Sequence, residues 1–334
     1  MREKIAFIGM LLLIVALFVI SLSFGKVAIS MSYIIDVFTG KADEITTNLI
    51  LNFRIPKSIA AILVGIALPV AGFLMQELFK NPLAEPSVLG VTSMASLGVG
   101  VVIFLFSMLG LDAYLNHPWI IIFASLIGSF VALLFVLGFA TRIKSSASLV
   151  ILGFMITGLT GAFIGLMQYV APSEKIKSFL MWGFGSLSGL TWHQLLAFTL
   201  FIVVGLVIAL FTLRGISALL LGERYAATMG INVKHLRLLI LISTAILTAG
   251  ATAFTGPIGF VGLVIPHLCR TVLKTGNIVL LFRWIIVLGI CSMLFFSILT
   301  EAFPFGTLPI NIITSLVGAP IVISILLNNK YQIN

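Results

Sequence analysis

The residues that usually carry chemistry are few in this chain, and their spacing does not fit a metal or nucleotide site. Aspartate occurs only at positions 36, 43 and 112, so the last two-thirds of the chain lacks the carboxylate pairs with which Mg²⁺-dependent intramembrane transferases hold their metal. His267 and Cys269 are two residues apart and would face different sides of a helix, which argues against a metal pair. The sequence contains no G-x-x-x-x-G-K-[ST] motif for a nucleotide phosphate. We therefore expect neither an enzyme nor a bound metal or cofactor.

The placement of the acidic residues also bears on ion coupling. An ion-coupled carrier usually has a titratable side chain near the middle of the membrane, where a charge is costly and therefore functional. Here Glu77 and Glu301 lie at the ends of predicted spans, and no acid is predicted near a midplane. A transporter with this sequence is expected to take its energy from a partner.

The elements that position these residues are predicted to be transmembrane helices. Hydrophobic residues make up 60% of the chain and charged residues 9%, against about 45–50% and about 25% in soluble domains. A water-soluble fold could not bury that much apolar surface, so we predict an all-α polytopic membrane protein that forms a single membrane domain over 1–334. The apolar runs predict ten spans, near 5–24, 58–78, 90–109, 118–140, 147–170, 191–212, 235–256, 258–272, 279–302 and 309–327.

The basic residues predict the orientation of these spans. Most of the 19 lysines and arginines fall on the cytoplasmic side when both termini are cytoplasmic, so the net charge of +9 is attributed to topology rather than to nucleic-acid binding. This orientation places Arg214–Arg237, called the basic segment below, in the cytoplasm. The basic segment carries four basic residues against one acid, Glu223, and has a helix-forming pattern. It is expected to contact a partner, although a loop that only fixes topology is the alternative.

Two parts of the chain are similar to each other. Ala61–Gly72 resembles Leu239–Gly250, and each is followed by a proline-containing break and a short apolar run that begins with glycine. On the ten-span topology the two runs cross the membrane in opposite directions, which is typical of inverted repeats in transporters. The alternative is that any two apolar helices look alike.

Several motifs, which follow one another along the chain, resemble those of the permease subunits of type II ABC importers. This is the FecCD or BtuC-like family, whose members import iron–siderophore complexes, haem and cobalamin. The similarity covers about 50–327 and implies a BtuC-like fold with an inverted pseudo-repeat of spans 2–5 and 7–10. The motifs are Arg54-Ile-Pro-Lys57, Gln76 with Asn81-Pro-Leu-Ala-Glu-Pro86 and Gly90, Leu221-Gly-Glu223 with Met229-Gly230 and Arg237, Gly259–His267 with Arg270, Leu308-Pro309, and Gly318-Ala-Pro320.

The resemblance gives the basic segment a partner. It implies that this loop forms two short helices that dock on a separate ATPase subunit, and 219–230 matches the docking motif. The apolar run 218–221 could supply a knob for the ATPase, while Gly222 and Gly230 would allow tight turns. The implied coupling residues are Leu219, Leu221, Gly222, Glu223, Ala226 and Gly230.

On the outer side, the resemblance implies that a substrate-binding protein docks on basic residues at the start of the second span. Arg54 and Lys57 match those positions and would meet carboxylates of the partner, although interfacial snorkelling of the two side chains is the alternative. Members of the family often have a further arginine before the last helix. In this chain 297–307 contains no arginine or lysine and carries Glu301 instead, which puts that third contact in doubt.

A cytoplasmic gate is implied at the break after the second span. Asn81 and Leu83 match positions that close the pathway in the family, and Ser146 and Ala147, before the fifth span, are the facing candidates. Non-helical backbone inside a membrane protein lines a cavity or is buried in protein, which suits a gate, but packing alone is an alternative. Asn311 stands where the family usually has glycine and could affect which substrate is transported.

The function implied is that of an ABC importer permease in the cytoplasmic membrane, without catalytic residues of its own. It would pair with a second copy or a close paralogue, with two ATPase subunits and with an extracytoplasmic binding protein. An iron chelate is the expected substrate, with a siderophore ahead of haem and cobalamin, and transport would proceed by alternating access. An ion-coupled secondary carrier with inverted repeats remains the alternative.

Overall fold

The computed structural model describes residues 2–25, 27–115, 117–140, 146–303 and 306–327, and these residues contain α-helices but no strand. Ten helices correspond to the ten predicted spans: α1 (Arg2–Ser23), α4 (Ile55–Phe79), α5 (Val91–Met108), α7 (Pro118–Ala140), α8 (Ser146–Val170), α10 (Trp192–Leu219), α12 (Val233–Thr255), α13 (Val261–Leu273), α14 (Ile278–Glu301) and α15 (Ile310–Leu327). Five shorter helices lie between them: α2 (Met31–Phe38), α3 (Glu44–Leu49), α6 (Asp112–Leu115), α9 (Ser173–Gly183) and α11 (Glu223–Thr228).

The long helices are membrane spans by length and composition. Eight helices of the described chain are long and apolar enough to cross a bilayer, whereas α13 and the apolar part of α15 are shorter. The prediction of a polytopic all-α protein is therefore confirmed. The short α13 follows a non-helical break at 256–260, which agrees with the weak, glycine-led apolar run in the sequence.

Local capping explains where several of these helices begin and end. α10 starts at a capping box, in which Thr191 and Gln194 exchange side-chain and backbone hydrogen bonds. α12 and α14 follow Asn232 and Asn277, whose side-chain oxygens accept backbone N–H groups of the first turn. α4 ends at Lys80, whose left-handed backbone (φ 49°) closes the helix.

α4 is the central helix and packs against α10, α12, α13 and α14. Glycine lets two of these neighbours come very close. A Cβ atom on Gly72 would lie 1.7 Å from the carbonyl oxygen of Gly262 in α13, and one on Gly65 would lie 2.6 Å from that of Gly289 in α14. Most of α4 and α12 is buried, while α1 and α8 are mostly exposed and are free to face lipid or another subunit.

Contacts between helices of different halves have matching contacts with the two halves exchanged, as an inverted repeat requires. α4 packs against α14, and the corresponding pair with the halves exchanged, α12 and α7, is also in contact. In the same way α13 packs against α4, and the corresponding pair, α5 and α12, is in contact. Within each half, the second helix contacts the third and fourth, since α5 touches α7 and α8 and α13 touches α14 and α15. The faint similarity between Ala61–Gly72 and Leu239–Gly250 therefore reflects architecture.

One helix boundary differs from the sequence prediction. The sixth span is predicted to end near 212, but α10 continues to Leu219 and takes Arg214 into its last turns. Trp192, at the start of α10, donates a hydrogen bond to Asn52, beside the start of α4. Because α10 has 28 residues, and a helix rises about 1.5 Å per residue, it carries the basic segment to the end of the molecule opposite Arg54.

Candidate functional site

The basic segment forms a compact corner between two spanning helices. The resemblance implies two short helices here, but the structure has one, α11 (Glu223–Thr228), because α10 extends to Leu219. Gly222 (φ 107°, ψ 153°) and Gly230 (φ 81°) form the turns on either side of α11. Both occupy backbone conformations that L side chains rarely adopt, and a Cβ on either would meet no other atom within 4 Å. The expected tight turns at these two glycines are confirmed.

The apolar knob of the basic segment differs from the prediction. Leu219 and Ala226 are buried at 8% and 0% exposure and support the corner from within, as does Ala218, so their part in coupling to an ATPase stays a prediction. Leu220 and Leu221 are 51% and 65% exposed, and they are joined by two residues that the sequence analysis missed, Tyr225 and Met229. We call Leu220, Leu221, Tyr225 and Met229 the apolar patch. The spacing of four between Tyr225 and Met229, along the single short helix, was the available signal.

An ion pair braces α11 against α12. The Arg237 guanidinium donates through Nη2 to Oε1 of Glu223, which lies in the first turn of α11, where the helix dipole favours an acid. The pair is partly exposed, so its contribution to stability is about 0–1 kcal/mol. Its main effect is to fix the angle at which the apolar patch is presented.

At the opposite end of the molecule, Arg54 is a structural residue. It is 6% exposed, and Nη1 and Nη2 donate to the carbonyl oxygens of Leu22 and Val27. Gly25 makes room for the guanidinium, because a Cβ there would lie 2.9 Å from Nη2. The expectation that Arg54 presents itself on the outer surface is therefore wrong for this structure. Its guanidinium ties the chain after α1 to the start of α4 instead.

Lys57 is also engaged inside the protein. Its ammonium donates to Oε1 of Glu301 at 2.5 Å, and the two side chains are 15% and 11% exposed. Thr307 donates to the other carboxylate oxygen of Glu301 at 3.2 Å. The unexpected acid before the last helix is thus the partner of Lys57 and joins α4 to α14. The pair lines a cavity of about 590 Å³ at this end of the molecule, which the loops at 184–189 and 307–310 also line; it is called the outer cavity below, after the predicted orientation.

The predicted gate is described on one side only. Oδ1 of Asn81 accepts the backbone N–H of Leu83 at 2.9 Å, which shapes the turn after α4. Asn81 is exposed and Leu83 is half-buried, so both are available to a facing surface. Ser146 and Ala147 begin α8, but their side chains lie outside the described part of the chain. Closure between the two pairs stays a prediction.

Two of the sequence motifs meet at the end of α4. Arg270 donates to Oε1 of Gln76 at 2.6 Å and to Oε1 of Glu77 at 2.7 Å. Gln76 in turn donates to the carbonyl oxygen of Leu263 at 3.0 Å. These bonds fasten the last turns of α13 to α4 and place the positive charge of Arg270 near the C-terminus of α13, which the helix dipole favours.

A second meeting point of motifs lies inside the protein, at Glu85. Its Oε1 accepts the backbone N–H of Phe260 at 2.9 Å, and its Oε2 accepts a hydrogen bond from Ser87 at 3.2 Å. Burial raises the pKa of the Glu85 carboxyl, and the bonds from Phe260 and Ser87 oppose that shift. Glu85 stands within one of the family motifs, but no chemical role was predicted for it from the sequence.

Comparison with known proteins places this arrangement in a family. The model of the FecCD transport family matches residues 12–328. The hemin transport system permease of Yersinia pestis is 31% identical, over 99% of this chain and 97% of its own length. The molybdate import system permease of Haemophilus influenzae is 32% identical, over 95% and 94%. A solved inward-facing ABC transporter, assigned to the metal-chelate type, has a TM-score of 0.84 at 30% identity and covers 97% of this chain and 99% of that chain.

Proposed function

This chain belongs to the FecCD transport family and is an ABC importer permease, and from that premise we propose that it carries an iron chelate across the cytoplasmic membrane by alternating access. A siderophore complex is the first candidate and haem the second. The match to a hemin permease over nearly the full length of both chains supports a chelate. The outer cavity of about 590 Å³ falls in the size range of sites for bulky ligands. As a permease, the chain is a transport subunit and not an enzyme.

The apolar patch is the observation that carries this proposal. Leu220, Leu221, Tyr225 and Met229 are exposed on a corner that is braced by Glu223 and Arg237 and surrounded by basic residues. Large apolar side chains held rigidly on a polar, charged corner mark a surface that a partner covers. We assign this partner to an ATPase subunit, whose closure on ATP would move the corner and, through α10 and α12, the transmembrane core. This assignment requires the basic segment and both termini to be cytoplasmic.

A second permease subunit is proposed to pack on α8. This helix is among the least buried of the spans, and it exposes Phe154, Leu159 and Phe163. Gly158, Gly161 and Gly165 have open space beside them, and small residues at such spacing let two membrane helices approach closely. The pathway would then run between the two copies, with the gate of Asn81 and Leu83 facing Ser146 and Ala147 at its cytoplasmic end.

An extracytoplasmic binding protein is proposed to dock around the outer cavity. Lys57 stays the candidate contact for a partner carboxylate, which would have to replace Glu301 beside the ammonium group. Arg54 would support that surface from within by holding the chain after α1. Contacts of this kind fix the register of the complex more than they add affinity.

The proposal is tested by reconstituting the permease with its ATPase and binding protein in liposomes that are loaded with ATP or left without it. We expect uptake of a ferric hydroxamate chelate or haem that requires ATP and is unaffected by a protonophore. The ion-coupled carrier predicts the opposite pattern, with uptake that persists without the ATPase and stops when the protonophore is added. That second pattern would overturn the proposal.

A further inference from the structure

Three segments, two of them breaks between helices and one the start of a helix, meet at one small cavity of about 270 Å³. The first is the 3₁₀ turn Pro86–Leu89 between α4 and α5, the second is the break at 256–260 between α12 and α13, and the third is the start of α15. The first belongs to one half of the inverted repeat and the other two to the second half. The cavity therefore lies at a joint between the two halves.

Two side chains hold the backbone of the second break. Oε1 of Glu85 accepts the N–H of Phe260 at 2.9 Å, and Oδ1 of Asn311 accepts the N–H of Gly259 at 3.0 Å. The contacts bridge 175 and 52 residues of sequence. Consecutive N–H groups are thus bound from two sides, by an acid of the first half and an amide of the second. We call Glu85 and Asn311 the clamp.

The backbone at this point needs external support. Phe260 precedes α13 with a positive φ of 68°, an uncommon conformation for a residue with a side chain, and no side chain of its own helix caps α13. The first N–H groups of a helix lack intrahelical acceptors and carry a partial positive charge. The clamp supplies acceptors there, and the carboxylate of Glu85 also matches the charge.

Among the residues that the structure describes, no basic side chain lines this cavity beside Glu85. Apart from Glu85, the described lining consists of hydroxyl, amide, glycine and apolar residues, among them Ser87, Thr248, Thr252 and Asn311. The charge is therefore compensated by the start of α13 and by Ser87. If Phe260 moves away, Glu85 loses its strongest partner, so the carboxylate and the break have to move together.

We propose that Glu85 and Asn311 are positioning residues for transport: the clamp fixes the Gly259–Phe260 backbone and so couples the loop that carries Asn81 and Leu83 to α13. Glu85 stands four residues after Asn81 in one non-helical segment, so a shift of that segment is passed directly to the start of α13. Alternating access requires the two halves of the repeat to move relative to each other, and the clamp joins them next to the proposed gate. This inference rests on the proposed function.

Paired substitutions separate the clamp from a simple loss of folding. Glu85→Ala and Asn311→Ala remove the acceptors, whereas Glu85→Gln and Asn311→Asp keep an oxygen at nearly the same place. Glu174→Gln, at an exposed acid of α9, is the matched control for loss of a carboxylate. Uptake of a ferric hydroxamate chelate and of haem is measured in ATP-loaded liposomes, together with basal ATPase activity. The substitution Ser315→Cys, on the cavity wall, is added to each variant and reports opening through its rate of maleimide labelling, while the native Cys269 and Cys291 are buried.

We expect Glu85→Ala and Asn311→Ala each to lower uptake about 10-fold or more, in line with loss of a hydrogen bond to a charged or buried group. Labelling at Ser315 should become faster in both, with basal ATPase activity and membrane insertion unchanged. Asn311→Asp and Glu85→Gln should restore most of the labelling protection, and Glu85→Gln should restore uptake less fully because it lacks the charge. Glu174→Gln should match the wild type.

Two results would overturn the proposal. One is wild-type uptake and labelling in both alanine variants. The other is equal loss of uptake in Glu85→Ala and Glu85→Gln with unchanged labelling, since the charge would then act on the substrate rather than on the backbone. If Glu85→Ala fails to insert, Asn311→Ala breaks the clamp at its other contact without touching a charge. Failure of the proposed function can be told apart from failure of the clamp proposal. If the proposed function is wrong, the wild type shows no ATP-dependent uptake, and the order of the labelling rates among the variants still tests the clamp.

Discussion

Replacing Gly222 by alanine tests whether the corner between α10 and α11 transmits force to the core. Gly222 has φ 107° and ψ 153°, a region that only glycine populates readily. Forcing another residue into such a conformation costs about 1–3 kcal/mol. A Cβ at this position meets no atom within 4 Å, so the cost comes from the backbone and not from a clash. We therefore expect the Gly222→Ala turn to relax and to turn the apolar patch away from its docking orientation.

The strain sets the size of the effect on the complex. A penalty of about 1–3 kcal/mol corresponds to an apparent ATPase affinity lowered about 5- to 150-fold, if only the strained turn can dock. The assay is titration of the purified permease in detergent or nanodiscs with its ATPase, together with ATP-dependent uptake. Gly276→Ala is the control, because Gly276 lies in another turn with open space beside it and has no positive φ. Equal affinity and uptake in the two variants would refute the role of the corner.

Three further predictions concern packing and charge. Leu221→Ser and Tyr225→Ser should weaken ATPase binding in the same titration, while the thermal unfolding temperature stays near that of the wild type. Leu219→Ala should instead lower stability, by about 2–5 kcal/mol, because Leu219 is buried. A stable Leu219→Ala protein with weak ATPase binding would contradict the assignment of Leu219 to the core. Lys57→Met or Glu301→Gln alone should destabilise the protein by about 1–3 kcal/mol, because each leaves a partly buried group without its partner. The double variant should recover part of the loss in thermal unfolding, and additive losses would contradict a direct pair. Gly72→Ala should prevent stable accumulation in the membrane, since its Cβ would lie 1.7 Å from the Gly262 carbonyl oxygen, and normal accumulation would disprove the close contact of α4 with α13.

The eight long spans of the described chain could be predicted from sequence because apolar length identifies a membrane span, whereas α13 and α15 had to be predicted from shorter apolar runs. The two turn glycines could be predicted as well, since Gly222 and Gly230 flank a short helix-forming run. The end of α10 could not, because a helix can continue through polar residues once it leaves the membrane. Leu219 was expected to belong to an exposed apolar knob, and only the path of α10 shows that it turns inward.

The long-range contacts of charged residues were beyond sequence reasoning. Arg54 binds carbonyl oxygens 32 and 27 residues away, and backbone acceptors leave no trace in a sequence. Lys57 and Glu301 are 244 residues apart. A basic residue near a span end is usually exposed, so the general expectation misled for Arg54. For Glu301, its departure from the family pattern was the one available signal, and it pointed to the right region but not to the partner.

The most direct test of the proposed transport function is ATP-dependent uptake by the complete importer in liposomes, measured in parallel with a ferric hydroxamate chelate, haem and molybdate. We expect accumulation of an iron chelate that requires ATP inside the liposomes and is reduced with Gly222→Ala. Molybdate should not accumulate. Uptake of molybdate without uptake of either chelate, or uptake of a chelate that does not depend on ATP, would contradict the proposed function.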